Sequence, residues 1–359
     1  MKILILANND VGLYQFRRKL IEAMLQKGHE VLISLPDGPL VAPLVEMGCT
    51  FLDTPIDRRG LDPVKDLKLL SHYLSILRTH QPDLVVTYTI KPNIYGGLAC
   101  RMKKIPYAIN ITGLGTAFQK KGLLRSFVIR LYRTALKRAK VVFFENSANR
   151  NLFLREKIVS KEVCRLLNGA GVDLDYFTPV PYPRSGPTRF LFVGRVMKEK
   201  GVDELFSAME QLHARGQDCV LDVLGLHEED YAEAIEQGRQ QGWLCYHGYQ
   251  KDVRPFIETA HCFVLPSYHE GMANTNLECA AMGRPVITSN IPGCREAVTQ
   301  GSGILCKPKN TDSLFSALDL FLHLPTEARI AMGQTGRRHM EAVFDKVKVV
   351  QATMDALEA

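Results

Sequence analysis

No CxxC pair, no HxxxH pair and no apolar run of bilayer length occurs in these 359 residues. Nine cysteines lie scattered as singles. An odd number without paired spacing excludes a disulfide framework and a cysteine-built zinc site, and points to a reducing cytoplasm. Without clustered histidines no metal site is expected either. A membrane-spanning helix needs about 20 apolar residues in a row. The opening "MKILILANND" is too short for a signal peptide, has no small-residue cleavage site after it, and reads as a buried first strand. Acidic residues show the largest gap. None occurs from Leu84 to Phe144, whereas residues 91–140 hold twelve basic ones. Residues 1–183 carry 27 Lys+Arg against 15 Asp+Glu, and the remainder 18 against 23. This asymmetry assigns the first half an anionic partner, and on charge alone nucleic acid, a membrane surface and a phosphorylated substrate all fit.

Short β-branched runs alternate with longer amphipathic ones along the whole chain. Strands are predicted at "KILILA", "EVLISL", "TFLD", "DLVVTYT", "YAINIT" and "VVFFE", then at "RFLFVGR", "CVLDVLG", "LCYHG", "CFVLPS", "PVITSN" and "GILCKP". Helical stretches such as "QFRRKLIEAMLQKG" and "VDELFSAMEQLHARG" close on a glycine in C-cap position. Continuous apolar strands alternating with helices imply parallel sheets covered on both faces, an α/β class. Four prolines in residues 177–190 mark a linker. The resulting picture is two Rossmann-like domains facing a central cleft, at 1–178 and 179–340, with a terminal helix over 341–359 that crosses back to the first. A dinucleotide enzyme would carry GxGxxG after the first strand; here that turn, "ANNDVGLYQFR", has the single glycine Gly12.

Two stretches of the second domain carry chemistry. In "FLFVGRVMKEKGVDEL" a strand turns at Gly194, and Arg195 and Lys200 frame a helix start. A guanidinium fork, an ammonium and free helix amides together neutralise a diphosphate without a divalent metal. Taken singly, each is an ordinary strand-end or solvated cation. In "SYHEGMANTNLECAAMGRPV", Gly271 lets backbone approach a ligand, and Asn274 or Thr275 caps the next helix. The amides of Met272, Ala273, Asn274 and Thr275 then face a phosphate or sugar. Glu278, one turn in, is placed to accept from ribose hydroxyls, and Glu270 sits nearest the reacting sugar. As isolated residues they read equally as a helix-dipole acid and a surface loop acid; the matching turn with Arg195 and Lys200 favours the site.

The ordered set "GRVMKEKG" and "LPSYHEGMANTNLECAAMGRPVITSNIPGCREAV" resembles the retaining GT-B glycosyltransferases of family four, marked by a Glu-x7-Glu pair preceded by Arg and Lys. "YTIKPNIYG" and "NITGLGTAF" resemble their bacterial capsule, O-antigen and lipid-linked oligosaccharide subgroup, which includes transferases of N-acetylgalactosamine to undecaprenyl-diphosphate-linked bacillosamine. The resemblance implies a UDP-sugar donor, a lipid-linked saccharide acceptor and no cofactor or metal. It implies that Arg195 and Lys200 hold the diphosphate, Glu278 the ribose and Glu270 the donor sugar, beside the backbone of Met272–Asn274. Tyr249, in "YHGYQKDV", falls at the nucleobase, and Gly12 under the donor phosphate or acceptor. Many relatives carry a histidine after the fourth strand; this chain has Ile90 and Lys91 there, which leaves Lys91 to hold an anionic group.

Arg17, Lys91, Asn93, Lys120, Lys121 and Arg125 are the expected acceptor and membrane contacts. In "GLLRSFVIRLYRTALKRAK", Leu124, Phe127, Val128, Leu131 and Ala135 share one face and the basic residues another. Such a helix either packs on its own sheet or docks on anionic lipid. No nucleic-acid motif accompanies the charge, so nucleic acid is set aside. The expected activity is retaining transfer of an N-acetylhexosamine to a polyprenyl-diphosphate-linked saccharide in bacterial polysaccharide or glycoprotein glycan assembly, peripherally on the inner face of the cytoplasmic membrane. A nucleotide-sugar 2-epimerase and a non-catalytic subunit of the same fold are the alternatives.

Overall fold

The computed structural model describes residues 1–57, 62–114, 118 and 122–359. It divides into two compact units, Met1–Ala170 with Val347–Ala359, and Gly171–Lys346. The first is built on strands β1 (Lys2–Leu6), β2 (Glu30–Leu35), β3 (Thr50–Asp53), β4 (Leu84–Tyr88), β5 (Tyr107–Ile111), β6 (Val141–Phe144) and β7 (Cys164–Leu166), in the order β3-β2-β1-β4-β5-β6-β7. Every pairing is parallel. Ile3 and Ile5 join a buried cluster with Leu13, Leu20 and Ile21 of helix Asp10–Gln26. Leu4 and Leu6 join the opposite one, with Leu69, Tyr73 and Leu77 of helix Pro63–His80. A strand buried on both faces gains from apolar residues at every position, so these strands read as unbroken runs. β7 was not foreseen: it is three residues at the sheet edge, two of them exposed, and carries no apolar run.

The second unit contains β8 (Thr188–Val193), β9 (Cys219–Leu224), β10 (Leu244–Gly248), β11 (Cys262–Leu265), β12 (Val286–Ser289) and β13 (Gly303–Cys306), ordered β10-β9-β8-β11-β12-β13 and again parallel. In both sheets the winding reverses once, between β1 and β4 and between β8 and β11.

The units divide at Ala170 and Gly171, ahead of the expected boundary at 178 and 179. Arginines hold the proline-rich segment to the second unit. Arg284, 1% exposed, donates to Val180 O and Pro181 O at 3.2 and 2.7 Å, and to Ile257 O and Glu258 O, both at 2.9 Å. Arg337 donates to Phe177 O at 2.8 Å and Ala281 O at 2.9 Å. Prolines lack the N–H that a ladder needs, so this extended segment pairs with no strand, and the two guanidinium groups supply the donors for its carbonyls. At the other end, helix Lys346–Glu358 places Met354 and Leu357 in the cluster of Ile3 and Ile5. Lys140 Nζ donates to Leu357 O at 2.8 Å and Lys27 Nζ to Glu358 Oε1 at 2.9 Å, cations on a helix C-terminus.

Replacing Arg284 by methionine removes a side-chain donor from four carbonyls of the second unit, of which Ile257 O alone keeps a backbone one, from Ala260 N. A loss of about 3 kcal/mol in urea unfolding is the expected outcome; an unchanged midpoint contradicts this role.

Candidate active site

Loops at the C-terminal edge of a parallel sheet diverge where the winding reverses, and open α/β units take their ligands there. In the second unit those loops follow β8 and β11. After β8 the chain passes Gly194 and Arg195, makes a tight turn at Lys198–Lys200, and enters helix Val202–Ala214 through Gly201 at φ +74°. A Cβ on Gly201 would collide with Pro266 O, so glycine alone permits this approach of the two loops. Tyr268 N donates to Glu199 O at 2.9 Å, tying one loop to the other. Lys200 Nζ thereby reaches Glu270 Oε1 at 2.5 Å, the side chains 19% and 13% exposed. Ser267 Oγ donates to the same oxygen at 2.7 Å. Sequence reasoning missed Ser267; its place three residues before Glu270 was the available signal.

Arg195 has a separate partner. Its Nη1 donates at 2.8 Å to Glu228 Oε2, in the loop after β9, and the arginine is half-exposed. Gly194 N donates to Leu224 O and Gly225 N to Gly248 O, aligning the ends of β8, β9 and β10. Tyr249 follows β10 and is 60% exposed. Arg195, Lys200, Tyr249 and Glu270 therefore occupy one edge of one sheet.

The turn from Gly271 to Thr275 corrects two expectations. Ala273, rather than Asn274 or Thr275, is the N-cap of helix Asn274–Ala281, and no side chain caps it. The Ala273 amide is bonded to Gly293 O at 2.7 Å and is closed to a ligand. Gly293, at φ +88°, packs so tightly that an added Cβ would lie 2.6 Å from Gly271 O. Met272 and Ala273 are buried, and Asn274 Oδ1 is buried without a hydrogen-bond partner. Burial pushes Glu278 up to about 7, against the opposing charge of Lys346.

In the first unit the reversal lies between β1 and β4, and the residues expected there make the following contacts. Gly12 N donates to Asn9 Oδ1 at 2.6 Å, so its amide is already capped. Arg17, only 9% exposed, pairs with Glu145 at 2.5 Å and lies over the Tyr88 ring at 4.8 Å. Burial raises Glu145, with Arg17 pulling it back. Arg17 is thus an interior clamp rather than an acceptor contact. Asn93 is buried as well, accepting from Thr87 Oγ1 at 2.7 Å and donating to Asn110 O at 2.8 Å. Lys91 Nζ pairs with Asp66 Oδ1 at 2.8 Å, and Tyr95 donates to Asp66 Oδ2 at 2.8 Å. Between β4 and Lys91, Thr89 adopts φ +73°, costly for a β-branched residue. Arg125 binds Glu156 at 2.7 Å, and Lys120 and Lys121 lie outside the described residues. Helix Leu123–Leu136 buries Val128, Ile129, Tyr132, Ala135 and Leu136. Leu124 and Phe127, placed by periodicity on the inner face, are exposed.

Glu278 makes stability depend on pH in a definite direction. Its folded-state value lies above the ordinary one near 4.5, so between about pH 4.5 and 7 the folded chain keeps a proton that the unfolded chain releases. Stability therefore falls as pH rises through that window. Glu278→Gln should stabilise the ligand-free protein by about 2 kcal/mol at pH 8 and hardly at all at pH 4.5, read by denaturant titration at both. A gain independent of pH contradicts the assignment.

Two family models match: Glycosyl transferase 4-like over residues 2–146, and Glycosyl transferases group 1 over residues 180–339. The chain is 26% identical over 90% of its length, and 89% of the relative's, to the N,N'-diacetylbacillosaminyl-diphospho-undecaprenol alpha-1,3-N-acetylgalactosaminyltransferase of Campylobacter jejuni. It is 25% identical over 80% of its length, and 78% of the relative's, to the UDP-Gal:alpha-D-GlcNAc-diphosphoundecaprenol alpha-1,3-galactosyltransferase of Escherichia coli. The crystal structure of Anabaena HepE with UDP and glucose superposes at TM-score 0.81 and 17% identity, covering all of both chains, a likeness of fold. With matching models on both halves and the fold in common, the chain belongs to the group 1 family of GT-B glycosyl transferases.

Proposed function

We propose that this protein transfers an N-acetylhexosamine, with N-acetylgalactosamine the leading candidate, from a UDP-sugar to a polyprenyl-diphosphate-linked saccharide, retaining the anomeric configuration. The observation that carries this reading is the Lys200–Glu270–Ser267 cluster on the sheet edge shared with Arg195 and Tyr249. The relatives support the substrates: both are named for undecaprenyl-diphosphate acceptors, and one for a UDP-Gal donor.

Magnitudes decide which ion pair yields to the donor. The Arg195–Glu228 pair is half-exposed, and such pairs contribute at most about 1 kcal/mol, so the guanidinium exchanges readily onto a diphosphate. The Lys200–Glu270 pair is largely shielded and persists. An ammonium has three donors, so Lys200 can hold Glu270 and a phosphate oxygen together. Glu270, oriented by Ser267 and Lys200, accepts from the donor sugar, while Glu278 takes the ribose hydroxyls and Tyr249 adjoins the base. When the bond from C1 to the phosphate oxygen breaks, Arg195 and Lys200 stabilise the charge growing on the diphosphate. The acceptor hydroxyl bonds to C1 on the same face, and its proton passes to the departing phosphate oxygen. The scheme uses neither an enzymic nucleophile nor a metal.

The acceptor's lipid sets the location, at the inner face of the cytoplasmic membrane. Among the described residues no helix is long and apolar enough to cross a membrane. Helix Leu123–Leu136 instead exposes Leu123 (92%), Leu124 and Phe127 near its start, with Arg130, Arg133 and Lys137 exposed further along. Exposed apolar residues beside a basic face suit an anionic bilayer.

Lys200→Ala should lower kcat for metal-free UDP-sugar hydrolysis by about 100-fold or more. UDP should raise the melting temperature of wild type but not of Arg195→Ala or Glu278→Ala. No response of wild type to any uracil nucleotide overturns the donor assignment. In vesicle sedimentation, Leu123→Ser with Phe127→Ser should release the protein from anionic vesicles, and added salt should do the same to wild type; equal binding to neutral vesicles contradicts the docking surface.

A further inference from the structure

A cleft of about 570 Å³ opens in the first unit at the C-terminal edge of its sheet. Its apolar lining is Pro55 and Ile56, just after β3, with Leu69 of helix Pro63–His80. Two ion pairs line it as well: Lys65–Asp57 at 3.1 Å, and Lys91–Asp66 at 2.8 Å next to the reversal of winding at β4. Asp66 is 8% exposed, and its second oxygen accepts from Tyr95. Lys68 and His72 complete the lining. His72 Nε2 lies 3.2 Å from Thr54 Oγ1, which is itself 2.7 Å from Ser34 Oγ.

The lining selects among ligand classes. A diphosphate would meet two carboxylates, and their repulsion offsets much of the attraction of the lysines. A wholly apolar ligand would strip water from both ion pairs without replacing it. A neutral pyranose satisfies both demands: its C–H face covers Pro55, Ile56 and Leu69, and its hydroxyls donate to carboxylates and accept from ammonium groups. The volume falls within the roughly 300–1,000 Å³ of small-molecule sites.

We propose that this cleft is the subsite for a neutral sugar ring of the saccharide acceptor, with the Lys91–Asp66 pair binding a hydroxyl at the end nearest the reversal of winding. This inference rests on the glycosyltransferase reading above. It is tested in the full chain by following the His72 ring proton resonances by NMR during titration with methyl N-acetyl-glucosaminide, with N,N'-diacetylchitobiose, and with inorganic diphosphate alone. The sugars should shift the His72 signals saturably and diphosphate should not. Lys68→Ala, an exposed change, and Asp57→Asn should each weaken sugar binding at least fivefold. A shift with diphosphate and none with sugar, no shift with any probe, or sugar binding that is the same in both variants overturns the proposal. UDP-sugar hydrolysis by wild type in the same samples reports on the donor reading independently, so the failure of one is distinguishable from the failure of the other.

Discussion

The parallel pairing of β8 with β11, Cys262 beside Phe190 and Phe263 beside Leu191, is the constraint from which the candidate site follows. It brings together two turns 70 residues apart and aims both at the same sheet edge. Once they are adjacent, the contact of Lys200 with Glu270 needs only that backbone not obstruct it. Gly201 and Gly293 meet that need, each at positive φ and each against a carbonyl of the Glu270 loop or its lead-in. A side chain at either would separate the loops before any catalytic residue changed.

The same edges hold the unfavourable terms of the fold. Glu278 is kept where its charge is disfavoured, and Thr89 sits at a backbone angle that costs a β-branched residue about 1–3 kcal/mol. Neither improves packing, and both lie beside a reversal of winding, where ligands bind. Elsewhere the chain satisfies its buried charges locally. Arg17 meets Glu145, the first acid after the acid-free stretch, and Arg284 meets four carbonyls.

The sheets were legible because burial on both faces writes itself as continuous apolar runs; the helix ends were legible where glycine was needed, as at Gly28 and Gly216, both at positive φ. The edge strand β7 left no such trace. In the candidate site the residue types and their turns could be read, since Glu270, Lys200 and Arg195 each lie in a connection that follows a strand. Their partners could not: Ser267, Glu228 and the carbonyl of Gly293 are set by contacts between loops far apart in sequence. In the first unit Arg17 and Asn93 were expected at the acceptor or membrane, and both turn inward, Arg17 to Glu145 and Asn93 to Thr87 and Asn110, partners that composition does not show. Periodicity in helix Leu123–Leu136 was likewise read about one residue out of place: its inner face is centred on Ile129 and Tyr132, which leaves Leu124 and Phe127 outside.

In the proposed reaction Arg195, Lys200 and Glu270 drive departure of a UDP group and delivery of the sugar on the face it left. The anomeric configuration of the first product tests this most directly, followed by proton NMR with metal-free enzyme and a panel of UDP-N-acetylhexosamines, with saccharide acceptor present. UDP release and a product whose anomeric coupling matches that of the donor are expected. An inverted product, or no release of UDP from any donor, would contradict it.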